Sequence, residues 1–129
     1  MKKLLFFILA GIAVTACTSP KGMVKSKPAA QIVASDSAEF EITILDPEFD
    51  TWYQTHYSET IDRSNEYYKL KNGIGVENWN QYFKSNRYSK VVNSYINYNP
   101  AEEYGIEVNR KLYWYLKYIE ENFRVPLFR

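Results

Sequence analysis

The sequence predicts a small α+β domain in which helices predominate, preceded by a segment for export. Three observations support this prediction: a short apolar run that ends at the only cysteine, two stretches of alternating apolar and polar residues, and three stretches with helical periodicity. The expected order is strand, helix, helix, strand, helix. Because two strands alone are marginally stable, we expect them to pair in a small sheet that the helices cover.

Residues 1–16 have the features of a lipoprotein signal peptide. Two lysines precede a mostly apolar run, residues 4–14, which is too short to cross a bilayer core. Cys17 follows directly after a Val-Thr-Ala sequence. This arrangement resembles the lipobox of bacterial lipoprotein precursors, in which the cysteine thiol receives a diacylglyceryl group. The small residues before Cys17 would also suit ordinary secretion, which is the alternative interpretation.

Acylation at Cys17 would hold the protein on a membrane through its lipid anchor. One acyl chain binds marginally, whereas two or more hold a protein stably, and the new amino terminus of such proteins usually receives a second fatty acid, such as palmitate. The chain has no other cysteine with which Cys17 could form an internal disulfide. Thr18 stands where an aspartate would favour inner-membrane retention, so we expect the outer membrane, with the domain facing the periplasm.

Residues 17–37 are expected to form the lipidated cysteine and a flexible linker, with the domain at 38–129. Serine, proline, lysine, glycine and alanine dominate this stretch, and it has no sustained apolar period. Twenty such residues span about 25 Å as a coil, so the domain can stand away from the membrane. Lys21, Lys25 and Lys27 would favour contact with anionic head groups, but solubility of a disordered spacer is the preferred explanation.

The first part of the domain predicts a strand and then a helix. Residues 39–45 alternate between apolar and polar side chains, as a half-buried strand does. Asp46 and Pro47 then supply an N-cap and a proline at the first helical position. The helix carries an aromatic stripe made of Phe49, Trp52, Tyr53 and His56.

A longer helix is predicted from about Arg63 to Lys84. Val76, Trp79 and Phe83 have the spacing of one apolar stripe. The segment Asn72-Gly73-Ile74-Gly75 interrupts the pattern, so the sequence allows either one helix with a kink or two stacked pieces.

The last part predicts a second strand and a final helix. Residues 92–98 alternate again, and Asn99-Pro100 repeats the cap-plus-proline pattern, followed by two glutamates. The final helix is expected from about Ile106 to Phe123. Its core-facing stripe contains Val108, Leu112, Tyr115, Leu116, Ile119 and Phe123, while Trp114 and Tyr118 occupy a different face.

Several of these segments resemble a family of small, uncharacterised Bacteroidota lipoproteins that carry a domain of unknown function. The resemblance covers about residues 40–123 and implies the same lipid-anchored, single-domain layout, with an unbroken helix through Asn72-Gly75. It implies no activity. The segments that carry it are Asp46-Pro47, Phe49-Asp50, Trp52, Tyr67-Tyr68, Trp79-Asn80, Ile96-Asn97-Tyr98-Asn99-Pro100, Tyr104-Gly105 and Glu107-Val108-Asn109.

Charge and composition narrow the classes of function. Loss of residues 1–16 leaves 14 of the 16 basic residues against 15 acidic ones, which does not indicate a nucleic-acid binder. His56 is the only histidine, so we predict no metal site, no cofactor and no catalytic residues. Helix capping explains the acidic group Asp46, Glu48 and Asp50 better than cation binding does.

The aromatic content is the one feature that indicates binding. All twelve tyrosines and all three tryptophans lie outside residues 1–16, and such side chains combine an apolar face with a polar group. Trp114, Tyr118 and Tyr95 are the candidate binding surface, although any one of them could instead pack in the core. The sequence therefore favours a non-catalytic, lipid-anchored interaction module with an envelope protein or glycan as partner. The alternative is an envelope enzyme or binding protein that acts on cell-wall or other glycans.

Overall fold

The computed structural model describes residues 29–35 and 39–129. Within these ranges the chain forms two strands, β1 (Ala30–Ala34) and β2 (Phe40–Ile44), and three α-helices, α1 (Pro47–His56), α2 (Asn65–Ser85) and α3 (Ile106–Phe123), with a 3-10 turn at Glu59–Ile61. The predicted α+β class with helices predominating is confirmed. The predicted signal peptide, Cys17 and most of the predicted linker lie outside the described residues.

The predicted order of elements is wrong in one respect. The structure runs strand, strand, helix, helix, helix, because β2 pairs with a strand that precedes it. β1 and β2 are antiparallel, with Ala30 opposite Ile44 and Ala34 opposite Phe40. β1 lies in the stretch that was expected to be linker. Its alanines gave only a weak apolar pattern, although Ala30 is buried.

The second predicted strand, residues 92–98, is not a strand. Its side chains alternate as expected, since Val92, Ser94 and Ile96 are buried and the residues between them are exposed. The backbone, however, bonds to side chains of α2 instead of a neighbouring strand. The indole Nε1 of Trp79 donates to the carbonyl of Ser94 at 2.7 Å. The segment is therefore an irregular, half-buried connection with a bend at Ser94, and it does not belong to the sheet.

Helix α1 forms as the sequence predicts. The Asp46 side chain accepts a hydrogen bond from the backbone N–H of Glu48 at 3.0 Å, and Pro47 is the first helical residue. Phe49 is fully buried, and Trp52 is partly buried against the same core. The aromatic stripe of α1 thus holds this helix against α3.

Helix α2 is continuous through Asn72-Gly73-Ile74-Gly75, so the alternatives left open by the sequence resolve to one helix. Gly75 lies where α2 crosses α3, and a Cβ there would come within 2.9 Å of Leu116 Cδ1 and Phe128 Cε1. Glycine is therefore required by close packing, not by a break in the helix. Val76 and Trp79 are buried as predicted, but Phe83 is 40 % exposed.

Helix α3 has the predicted bounds and packs against α1, α2 and β2, which makes it the centre of the domain. The Asn99-Pro100 pair does not start it. The Asn99 side chain instead caps a short turn by accepting from the N–H of Ala101, and α3 begins after Gly105. Phe123, expected in the core stripe, is 42 % exposed at the last turn.

A buried hydrogen-bond network of side-chain amides joins α2 and α3 to Tyr98, in the segment 92–98. Asn72 donates to the carbonyl of Asn109 at 2.7 Å, Asn109 donates to the side chain of Asn65, and the hydroxyl of Tyr98 donates to Asn109 Oδ1. Asn72 and Asn109 are fully buried. These bonds fix where the segment after residue 98 leaves the core, and so fix the start of α3.

Candidate functional site

A cleft of about 750 Å³ lies between β2 and the beginning of α3. We call it the β2–α3 cleft. One wall is formed by residues 39–43 and the other by residues 103–108 together with Lys111. The two walls are about sixty residues apart in the sequence, and packing of β2 on α3 brings them together.

The β2 wall of the cleft is an open strand edge. The backbone N–H of Ser35 on the β1 side donates to the carbonyl of Glu39 at 2.6 Å. Because antiparallel ladders alternate between bonded and non-bonded pairs, residue 39 and every second residue after it bond towards β1. The peptide groups of Phe40 and Ile42 therefore point to the other edge, where the described residues supply no third strand.

Aromatic side chains give the cleft an ordered apolar end. The rings of Phe40 and Tyr104 meet edge to face with centroids 4.8 Å apart. Tyr104 also stacks on Tyr98 at 5.1 Å, and its hydroxyl accepts the N–H of Asn99 at 3.0 Å. Gly105 follows with φ of +91° and ψ of 157°, a combination that is essentially restricted to glycine. Tyr104, at the α3 wall, is thus held by Phe40 of β2 on one side and by Tyr98 and Asn99 on the other.

Carboxylates dominate the charge of the cleft. Its lining includes four glutamates and one lysine, Lys111, which gives a net charge of −3. Glu103 is paired with the ammonium of Lys69 at 3.2 Å. In the part of the chain that the structure describes, no ion pair involves the other three carboxylates, which belong to Glu39, Glu41 and Glu107.

The predicted binding surface of Trp114, Tyr118 and Tyr95 is not assembled. Tyr118 is 3 % exposed and packs against Trp52 of α1, with ring centroids 5.4 Å apart. This burial raises the pKa of the Tyr118 hydroxyl to about 12. Trp114 is half-buried and meets Tyr57 edge to face at 5.8 Å. Both side chains pack in the interface between α1 and α3.

Tyr95 lies apart from the other two residues of that set. It is 52 % exposed and lines a shallow depression with Gly73 and Lys84 of α2 and with Pro100. None of its contacts involves Trp114 or Tyr118. The β2–α3 cleft is the site that sequence reasoning missed. Alternation in residues 39–45 predicted the strand but not which of its edges would stay open.

Comparison with known proteins places the chain in a family. The model of a family of unknown function (DUF6146) matches residues 4–128. The chain belongs to this family. The matched residues include all of 40–123, where the sequence resembles a domain of unknown function, and they also include β1 and the residues after α3 up to 128. No curated protein and no solved structure matches the chain.

One further cluster in this DUF6146 domain is a partly buried ion pair between Arg110 and Asp62. Arg110 of α3 donates two hydrogen bonds to the carboxylate of Asp62, at 2.7 and 3.0 Å. The hydroxyl of Tyr68 donates to the same carboxylate at 2.5 Å. The Arg110 bonds, helped by Tyr68, hold the pKa of Asp62 well below its ordinary value of 3.8. This ion pair joins the segment between α1 and α2 to α3.

The described residues of the DUF6146 domain contain no group of three histidine, cysteine, aspartate or glutamate side chains placed to hold a metal ion. Asp46, considered with Glu48 and Asp50 for such a site, caps α1. Across residues 29–35 and 39–129, no helix has the length and apolar character needed to span a bilayer.

Proposed function

We propose that this DUF6146 protein is a lipid-anchored, non-catalytic interaction module of the bacterial cell envelope that binds a protein partner in the β2–α3 cleft. The observation that carries the proposal is the open edge of β2, whose peptide groups at Phe40 and Ile42 face a cleft of about 750 Å³. An unpaired strand edge is a template for another chain, and many recognition domains use one in this way.

The anchor in this proposal is Cys17, as in the Bacteroidota lipoproteins that the sequence resembles. Residues 1–16 would be removed on export, and two or more acyl chains on Cys17 would keep the protein in the membrane. Because Thr18 stands where an aspartate would favour inner-membrane retention, the proposed location is the outer membrane, with the domain in the periplasm. Residues 18–29, twelve in all, then separate the lipidated Cys17 from β1, so the cleft can meet partners away from the bilayer surface.

The anchor and the cleft can be tested in the same cells. Cys17→Ala should leave the domain folded and move it from the membrane fraction to the soluble fraction. A photo-crosslinking residue placed at Ile106, in the cleft, should give a covalent adduct with an envelope protein. The same residue at Gln54, exposed on α1 outside the cleft, should not.

Two results would contradict the proposal. Retention of the Cys17→Ala protein in membranes would remove the lipid anchor. Equal adduct formation from positions 106 and 54, or adducts made only of cell-wall glycan, would remove the protein-binding cleft.

A further inference from the structure

We propose that the β2–α3 cleft takes an extended, basic segment of its partner, added to β2 as a third strand. This inference rests on the proposed function, because it names the chemistry of the partner that the cleft would bind. The cleft combines the two features that such a ligand needs: backbone groups for a ladder and carboxylates for its side chains.

The backbone of β2 defines the geometry of the added strand. Phe40, Ile42 and Ile44 direct their peptide groups away from β1, so a segment about five residues long can bond along the strand at the usual separation of about 4.8 Å. The cleft extends from this edge to the beginning of α3, and its volume is about 750 Å³. The Phe40–Tyr104 ring pair closes one end and offers an apolar contact.

The negative charge of the cleft lining favours a basic ligand. The net charge of −3 around this edge favours lysine and arginine side chains on the incoming strand, and Glu41 and Glu107 lie on opposite walls where they can contact alternate side chains. A second copy of this domain is disfavoured at the same place, because edge-to-edge pairing would bring two such acidic linings together.

The test measures binding of a defined probe to the full mature protein in detergent micelles. The probe is a fluorescent peptide of alternating lysine and valine, compared with one of alternating glutamate and valine, by fluorescence anisotropy at low and high salt. Two further probes carry N-methyl groups on either the odd or the even amides. An added strand presents only one of these two sets to β2, so the methyl groups test for a ladder without altering the protein.

We expect the lysine peptide to bind about tenfold more tightly than the glutamate peptide, and more weakly as salt is raised. Glu41→Lys combined with Glu107→Lys should weaken binding about tenfold, whereas Glu77→Lys, an exposed α2 residue outside the cleft, should not. One N-methylated peptide should lose binding and the other should keep it.

Three results would overturn the inference. If both N-methylated peptides bind equally, the ligand does not add a strand. If the lysine peptide does not bind, the glutamates only protect the edge from aggregation. If replacing Lys21, Lys25 and Lys27 by glutamine raises the affinity, the chain's own basic segment occupies the cleft. In each case an envelope adduct from position 106 but not position 54 would leave the proposed function standing.

Discussion

The side-chain amide of Asn80 closes two hydrogen bonds with the backbone of Ile96. Its Nδ2 donates to the Ile96 carbonyl at 2.9 Å, and its Oδ1 accepts the Ile96 N–H at 2.9 Å. Both residues are buried. One asparagine of α2 thus supplies the two bonds that a neighbouring strand would supply to Ile96, which explains how this residue can be buried outside the sheet.

Asn80→Ala is expected to destabilise the domain strongly. The substitution leaves the N–H and the carbonyl of Ile96 without partners in the core. Each such group costs about 1–3 kcal/mol, so the free energy of unfolding should fall by about 2–6 kcal/mol. Urea unfolding followed by tryptophan fluorescence measures the change. Asn97→Ala, at an exposed position of the same segment, is the control. Equal stability of the two variants would show that the Asn80 bonds do not hold the segment.

Gly75→Ala should lower stability even though alanine is the better helix former. The added Cβ would meet Leu116 and Phe128 at 2.9 Å, and overpacking a core costs about 1–3 kcal/mol against a propensity gain of about 1 kcal/mol. Gly73→Ala makes the same gain and meets only Pro100 at 3.2 Å. Thermal unfolding should therefore rank Gly73→Ala above Gly75→Ala. The reverse order would mean that the side chains of Leu116 and Phe128 can move away from position 75 at little cost.

The Asp62–Arg110 pair should make the free energy of unfolding depend on pH in the acidic range. The pKa of Asp62 is lowered in the folded protein, so the carboxylate contributes stability above its unfolded pKa of about 4. That contribution is lost as the pH falls below 4 towards the lower folded value. Because both side chains are partly exposed, we expect Asp62→Asn to cost about 1–2 kcal/mol at pH 7.

The difference between wild type and Asp62→Asn should shrink as the pH is lowered from 5 to 2. Urea unfolding at a series of pH values measures it, with Glu77→Gln, at an exposed position in the middle of α2, as the control. A difference that stays constant across this range would show that the ionised Asp62 carboxylate does not stabilise the fold.

Local signals predicted the helices well. Asp46 with Pro47 marked the start of α1, and the apolar stripe of α3 gave its bounds as Ile106 and Phe123. These signals depend on residues within one or two turns of each other. The continuity of α2 could not be predicted from such local signals. Gly75 is required by its packing against Leu116 and Phe128, which lie far away in the sequence.

The sheet was harder to predict because alternation reports burial and not the identity of the backbone partner. Residues 92–98 alternate as clearly as β2 does, but the side chains of Trp79 and Asn80 bond to the backbone of Ser94 and Ile96 where a neighbouring strand would otherwise do so. The binding site was hardest. Tyr118 was expected at the surface and is buried by α1, whereas the β2–α3 cleft needs residues 39–43 and 103–111 to meet. No local pattern encodes that meeting.

The intact mass of the protein isolated from bacterial membranes tests the lipid anchor most directly. We expect a mature chain that begins at Cys17 and carries a diacylglyceryl group with further acylation of its amino terminus. A chain that begins elsewhere, or one that has an unmodified thiol at Cys17, would contradict the lipid anchor on which the proposed function depends.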